Sequence, residues 1–384
     1  MPFRLDERDT TAVPPTNREK RGDIINLVGI TIQVLDDCRI DNGALVVAPS
    51  HLRSYPVSAA DGMTCRPGET LPLAIAAMDG LGRNERSAVL GWLTDRAAGF
   101  NDDGYLRRAY AIHGRVTDRR PDRLGTALLL WAICARPERA TDQAIRAVVR
   151  QLAAGLALGR DRRQASPSPM VDLAESALSA LALHTVSAVL PADEWERAAA
   201  REEARRDGLM DSVRNHLETA DGRTDHFSVD DPTARESVET GPRRLFPDDG
   251  TDRAAQVALS WVPGIETGLR RTILERLSVD LASQRGDRDT VGLVPVVHLF
   301  WLAIAYERAG DSSRADDLFR STVELADSDG HFPEWVQGPE TADHPAIPFL
   351  PAHLAFLLAA GVLGRLRDLR RSGSPLAERA EPGD

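Results

Sequence analysis

Three acidic side chains stand in settings where carboxyl chemistry is conceivable. Asp172 and Glu175 lie in VDLAES, and Glu334 lies in GHFPEWVQGPE. Ser168-Pro169 reads as a helix start, with Pro at the first helical position. Asp172 and Glu175 are three residues apart, so they share a helix face within the first two turns. Leu173, Ala177, Ala180, Leu181 and His184 make the stripe expected to pack. Read by themselves, the two acids are an acidic first turn that suits the helix dipole. Glu334, between Pro333 and Trp335, reads by itself as a solvated loop charge. One carboxyl that gives a proton and a second that takes one would make a general acid–base pair, if the fold brought them to one site.

Other chemistries are poorly supplied. The only lysine is Lys20, so Schiff-base chemistry has almost nothing to work with, and arginine does not replace it. No GK[ST], HExxH or GxSxG stretch occurs. Cys38, Cys65 and Cys134 are odd in number and widely spaced, which favours free thiols over a disulfide framework or zinc site. His226 reads as a solvated or capping histidine. Asp248, Asp249 and Asp252 miss the spacing of a calcium loop. No metal or cofactor is expected. The net charge of -11 disfavours nucleic acid as a partner. The opening segment is polar and no apolar run is long enough to span a bilayer, so no membrane partner is expected and the cytoplasm is the expected compartment.

The elements that must position these residues are helices. Apolar residues recur at helical spacing through most of the 384-residue chain. Helix pairs with short turns are read at 68–81 with 84–99, 124–137 with 140–158, 170–190 with 192–217, 252–262 with 265–284, and within 294–328. The helix at 348–370 pairs with an early one near 18–37. Only GALVVA at 43–48 is strand-like. Six antiparallel pairs can close into an all-α (α/α)6 barrel spanning 18–370, with a flexible segment at 1–17 and a disordered tail at 371–384. An open solenoid is the alternative architecture, disfavoured because no tight repeat is visible. Long loops at 100–123, 159–169, 218–251, 285–293 and 330–347 fall mostly between pairs and would gather on one face of a ring, where a site is built.

Several of these segments, in order along the chain, resemble family 15 glycoside hydrolases, the glucoamylase-like (α/α)6 enzymes. VDLAES resembles the D-L-W-E-E stretch, and GHFPEWVQGPE the G-x-x-P/S-E-Q loop. HLFWLAIAYERAGD at 298–311 and RPDRLGTAL at 120–128 resemble two further family segments. The resemblance implies Glu175 as general acid, with Asp172 as its companion, and Glu334 as general base. It also implies substrate contacts at Arg66, Arg120, Arg123 and Trp335. The reaction implied is inverting hydrolysis of an α-linked sugar, on a small-molecule or oligosaccharide substrate and without a cofactor. Two departures stand out. Pro67 replaces the aspartate that follows the family's arginine, and the family's aromatic sugar platforms are depleted, in keeping with 5% aromatic content. They leave open a repurposed toroid that acts on or binds a sugar-like metabolite in a biosynthetic pathway, as an isomerase, cyclase or non-catalytic protein. A helical interaction protein without converging carboxylates is the third reading. The sequence leaves a homo-oligomer open.

Overall fold

A computed structural model describes residues 17–49, 64–80, 86–97, 99–135, 142–158, 168–224, 251–286, 294–336 and 347–366. Residues 1–16 and the tail beyond 366 lie outside the described residues, as do His226 and the aspartates at 248 and 249.

Twelve long helices among the described residues fall into two rings. The inner ring is α2 (Pro67–Gly80), α5 (Arg123–Cys134), α7 (Pro169–Val189), α9 (Thr251–Trp261), α11 (Val296–Arg308) and α13 (Leu350–Val362). Each packs on the next, and α13 returns to pack on α2. That closure establishes an (α/α)6 barrel and removes the open solenoid. The outer helices are α1 (Asn17–Asp37), α3 (Arg86–Asp95), α6 (Gln143–Leu158), α8 (Asp193–Thr224), α10 (Thr267–Gly286) and α12 (Ser312–Val323). They lie against α13, α2, α5, α7, α9 and α11 respectively. Because each pair is antiparallel, the inner helices all run the same way and their N-termini share one end of the barrel.

Sequence explains the division. Inner helices are apolar on nearly every side; α13 reads LPAHLAFLLAAGV and buries ten of its thirteen residues. Outer α12 is amphipathic and buries only Ala315, Phe319 and Thr322. Gly310, at φ +83°, breaks the chain between α11 and α12, and the Asp311 side chain accepts from Arg314 N as the expected N-cap. The three cysteines are free and buried. Burial pushes the Cys65 and Cys134 thiols up to about 12.

The strands correct the sequence expectation. GALVVA forms only an isolated bridge between Leu45 and Arg39. The stretch 100–123, expected as loop, instead holds a short α4 (Phe100–Asp103) and a hairpin of β2 (Leu106–Ala111) and β3 (Val116–Asp122). β1 (Thr64–Cys65) pairs antiparallel with β2, Cys65 opposite Tyr110, and Leu106 pairs with Asp122 on β3. This small sheet aims two inner helices. β1 leads through Arg66 into α2, and β3 leads through Asp122 into α5.

Candidate active site

The candidate residues gather at the N-terminal end of the inner ring. Arg66 precedes α2, Arg123 opens α5, Asp172 and Glu175 lie in the first two turns of α7, and Glu334 lies beside the start of α11. The segment carrying Glu334 is clamped by backbone bonds. Val296 N donates to Glu334 O at 3.0 Å, and Val336 N donates to Val294 O at 2.9 Å. Phe332 N donates to His353 Nε2 at 3.0 Å, and Phe349 N donates to Phe332 O at 2.9 Å. His353 is fully buried on α13. Its Nε2 accepts, so the ring is neutral with its proton on Nδ1, 3.1 Å from Thr31 Oγ1. Burial pushes this imidazole down to about 3.

Two arginine–glutamate pairs follow. Arg66 Nη1 donates to Glu334 Oε1 at 3.1 Å and lies 3.6 Å from Glu69 Oε2. Both oxygens meet one nitrogen, so a single guanidinium holds the two carboxyls close together. Burial raises the Glu334 carboxyl above its ordinary range, and Arg66 acts against that. Burial also raises Glu69, with Arg66 opposing and the charges of Glu334 and Asp122 adding to the rise. The second pair is Arg123 Nε with Glu175 Oε2 at 3.3 Å, the two side chains 6% and 11% exposed. Arg123 Nη1 also donates to the Tyr105 hydroxyl at 2.5 Å. Arg205 on α8 lies 3.9 Å from Asp172 Oδ1 and 3.8 Å from the buried Glu202. Glu175 is therefore buried against Arg123, while its helix neighbour Asp172 reaches Arg205 on the outer ring. Spacing alone reads Glu175 as part of an acidic first turn.

Within the ring lies an open axial cleft of about 220 Å³. Its walls come from α2, α5, α9 and α11 on opposite sides of the barrel, and its polar side chains are Glu69, Asp122 and His298. Asp122 caps α5 through a 2.8 Å bond from Gly125 N. Burial raises its carboxyl. Gly68 and Gly125 let the two helix starts meet around it. A Cβ on Gly68 would lie 1.9 Å from Asp122 Oδ2, and one on Gly125 would lie 2.5 Å from the Gly68 Cα.

Sequence reasoning named Arg66, Arg123, Asp172, Glu175, Glu334 and Trp335, and all sit at this end of the barrel. Glu175 and Glu334 are held in separate arginine pairs, and neither is among the residues lining the cleft. Trp335 bridges Pro295 beside Glu334. Arg120 is on the exposed side of β3, paired with Asp118 at 2.6 Å and outside the cleft. Glu69, Asp122, His298 and Tyr105 were missed. Glu69 carries no signal beyond an acidic first turn, and Asp122 reads as a cap. The one group of potential metal ligands among the described residues is Asp327, Asp329 and His331. Turn formation accounts for it, since Asp327 Oδ1 accepts from the backbone N–H of both other residues.

No family model matches the sequence, and no curated protein matches it. Solved structures do share its fold. A glycosidase variant in complex with glucose superposes with a TM-score of 0.54 at 16% identity, over 91% of this chain and 100% of that one. The glucoamylase of Hormoconis resinae gives 0.61 at 11% identity, over 95% and 76%. A D-mannose isomerase gives 0.54 at 10% identity, over 91% and 98%. This chain has the (α/α)6-barrel fold that these glycosidase, glucoamylase and isomerase structures share.

Proposed function

We propose that the protein is a glycoside-hydrolase-like enzyme that cleaves an α-linked sugar with inversion, using Glu175 as acid and Glu334 as base. The observation that carries this reading is the arrangement at one barrel end. Each glutamate is gripped by an arginine from the start of an inner helix, Glu334 by Arg66 and Glu175 by Arg123. In the reaction, the acid gives its proton to the glycosidic oxygen as the bond to the anomeric carbon breaks. The base takes a proton from a water that attacks that carbon from the opposite face. The products are an alcohol and a sugar whose anomeric hydroxyl is inverted. Glu175 can donate a proton only if its ion pair with Arg123 loosens when substrate enters. Glu334 must be ionised to act, and Arg66 favours that form. The test is incubation with α-linked glucosides, trehalose and glycosylated natural products, reading the anomer of the first product by NMR. Release of the inverted anomer supports the reading, and release of the retained anomer refutes it.

A second reading rests on the cleft wall, where the titratable side chains are Glu69, Asp122 and His298. Groups that can hold and move protons along one cleft suit aldose–ketose interconversion of a sugar-like metabolite. Incorporation of solvent deuterium into an unhydrolysed sugar would favour this reading over hydrolysis.

A further inference from the structure

The axial cleft changes character along its depth. At the mouth are Glu69, Asp122 and His298, all within the first turn of an inner helix or just before it. Leu128 and Trp301 lie five residues into α5 and α11, about 8 Å below the helix starts at 1.5 Å per residue. Trp261 closes α9, about 15 Å below its first residue. Trp261 stacks on Trp301, with ring centroids 5.2 Å apart and planes 12° apart. Leu73, Val257 and Ala258 complete the lower wall, which holds no charged side chain among its lining residues.

A hexose ring has hydroxyls around its whole perimeter. Seated in this lower wall, they would meet the apolar side chains of Leu73, Leu128, Val257 and Ala258, with the Arg308 guanidinium over the Trp261 ring as a neighbouring charge; each hydroxyl left without a partner would cost about 1–3 kcal/mol. A hydrocarbon or aromatic ring loses nothing there. The size allows it, since a cavity of about 150 Å³ holds benzene and the whole cleft, mouth included, measures about 220 Å³. We infer that the depth of the cleft takes an apolar group, a substituted aromatic or alicyclic ring of the substrate, while the polar sugar-like part stays at the mouth beside Glu69, Asp122 and His298. The substrate class is then a glycoside or cyclitol-like metabolite carrying an apolar aglycone, with the aglycone inserted and the sugar outward. This rests on the reading that the cleft is a substrate site.

Binding is measured by calorimetry on the full chain, so the result does not depend on turnover. The ligands are 1-naphthyl α-D-glucoside, phenyl α-D-glucoside, methyl α-D-glucoside and maltose. The aryl glucosides are expected to bind at least tenfold tighter than methyl glucoside or maltose, the range that apolar contacts supply. Ala258→Leu, which fills the lower cleft, and Trp301→Ser, which strips it, are each expected to abolish that preference. Circular dichroism melts identify which variants fold, and Ala258→Leu suffices alone if Trp301→Ser does not. Equal affinity for maltose and the aryl glucosides, or a preference that survives in the folded variants, overturns the inference. Aryl preference without cleavage would refute the hydrolase reading and leave this one standing. Cleavage of maltose without aryl preference would do the reverse.

Discussion

Arg66 Nη1 lies 3.1 Å from Glu334 Oε1 and 3.6 Å from Glu69 Oε2, so a single guanidinium ties the strand–helix junction at α2 to the segment beside α11. Pro67 opens α2 directly after Arg66, and the carboxylates that meet the guanidinium come from Glu334 and Glu69.

Removing that guanidinium should move the acid limb of the pH–rate profile. Glu334 works as a base only when ionised. Burial raises its value above the ordinary 4.5 and Arg66 lowers it. Arg66→Gln therefore raises it further, and the acid limb of kcat/KM shifts to higher pH. A profile whose limb does not move would show that Glu334 is not the ionisation that controls the rate.

The Arg123–Glu175 pair should matter to stability as well as to turnover. Both side chains are nearly buried, so leaving one charge without the other is expensive, about 3–5 kcal/mol. Arg123→Leu should lower the unfolding free energy read from urea melts by an amount of that order, and adding Glu175→Leu should recover much of it. Additive losses in the double-mutant cycle would mean the two charges do not interact.

His353 should impose a pH dependence on folding. Its folded value is about 3 against an ordinary 6.5. Between those values the unfolded chain binds a proton that the folded chain does not, so stability falls as pH drops from about 6.5 towards 3. The carboxyls of Glu69, Asp122 and Glu334 are raised and have the opposite sign, losing stability as pH rises through their folded values. His353→Gln should flatten the slope between pH 6.5 and 4, measured by denaturant melts. A slope identical to that of the wild type would remove His353 as its source.

Gly125→Ala should damage both fold and site. Its new Cβ would meet the Gly68 Cα at 2.5 Å and Asp122 Oδ2 at 2.3 Å. The helix starts must separate, and a stability loss of about 1–3 kcal/mol or more is expected. Unchanged melting would mean that the α2–α5 contact yields easily.

The barrel was legible because its pattern is redundant. Five of the six pairs are consecutive in sequence, each an apolar run followed by a second helical stripe, with turn signals such as Ala309-Gly310-Asp311 or Pro263-Gly264 between them. The hairpin was not legible. β2 is LRRAYA with a burial pattern that does not alternate, and β3 is VTDRRPD with Pro121 near its end. Period-two patterning is what marks a strand, and neither has it. Glu175 and Glu334 were singled out through the resemblance of their segments. The burial of Glu175 is not legible from spacing, because it comes from the packing of α5 and α8 on α7 in the closed ring. Glu69 and His353 were missed for opposite reasons. One resembles any helix-start acid, and the other sits in an apolar run where a histidine reads as core.

The most direct measurement compares kcat/KM of wild type, Glu175→Gln, Glu334→Gln and Glu69→Gln on whichever α-glucoside the protein cleaves, alongside thermal melts. The account predicts that Glu175→Gln and Glu334→Gln each lose on the order of a hundredfold or more while remaining folded, and that Glu69→Gln loses less. Retained activity in a folded Glu175→Gln, with loss confined to Glu69→Gln and Glu334→Gln, would contradict the assignment of the acid and move it to the cleft wall.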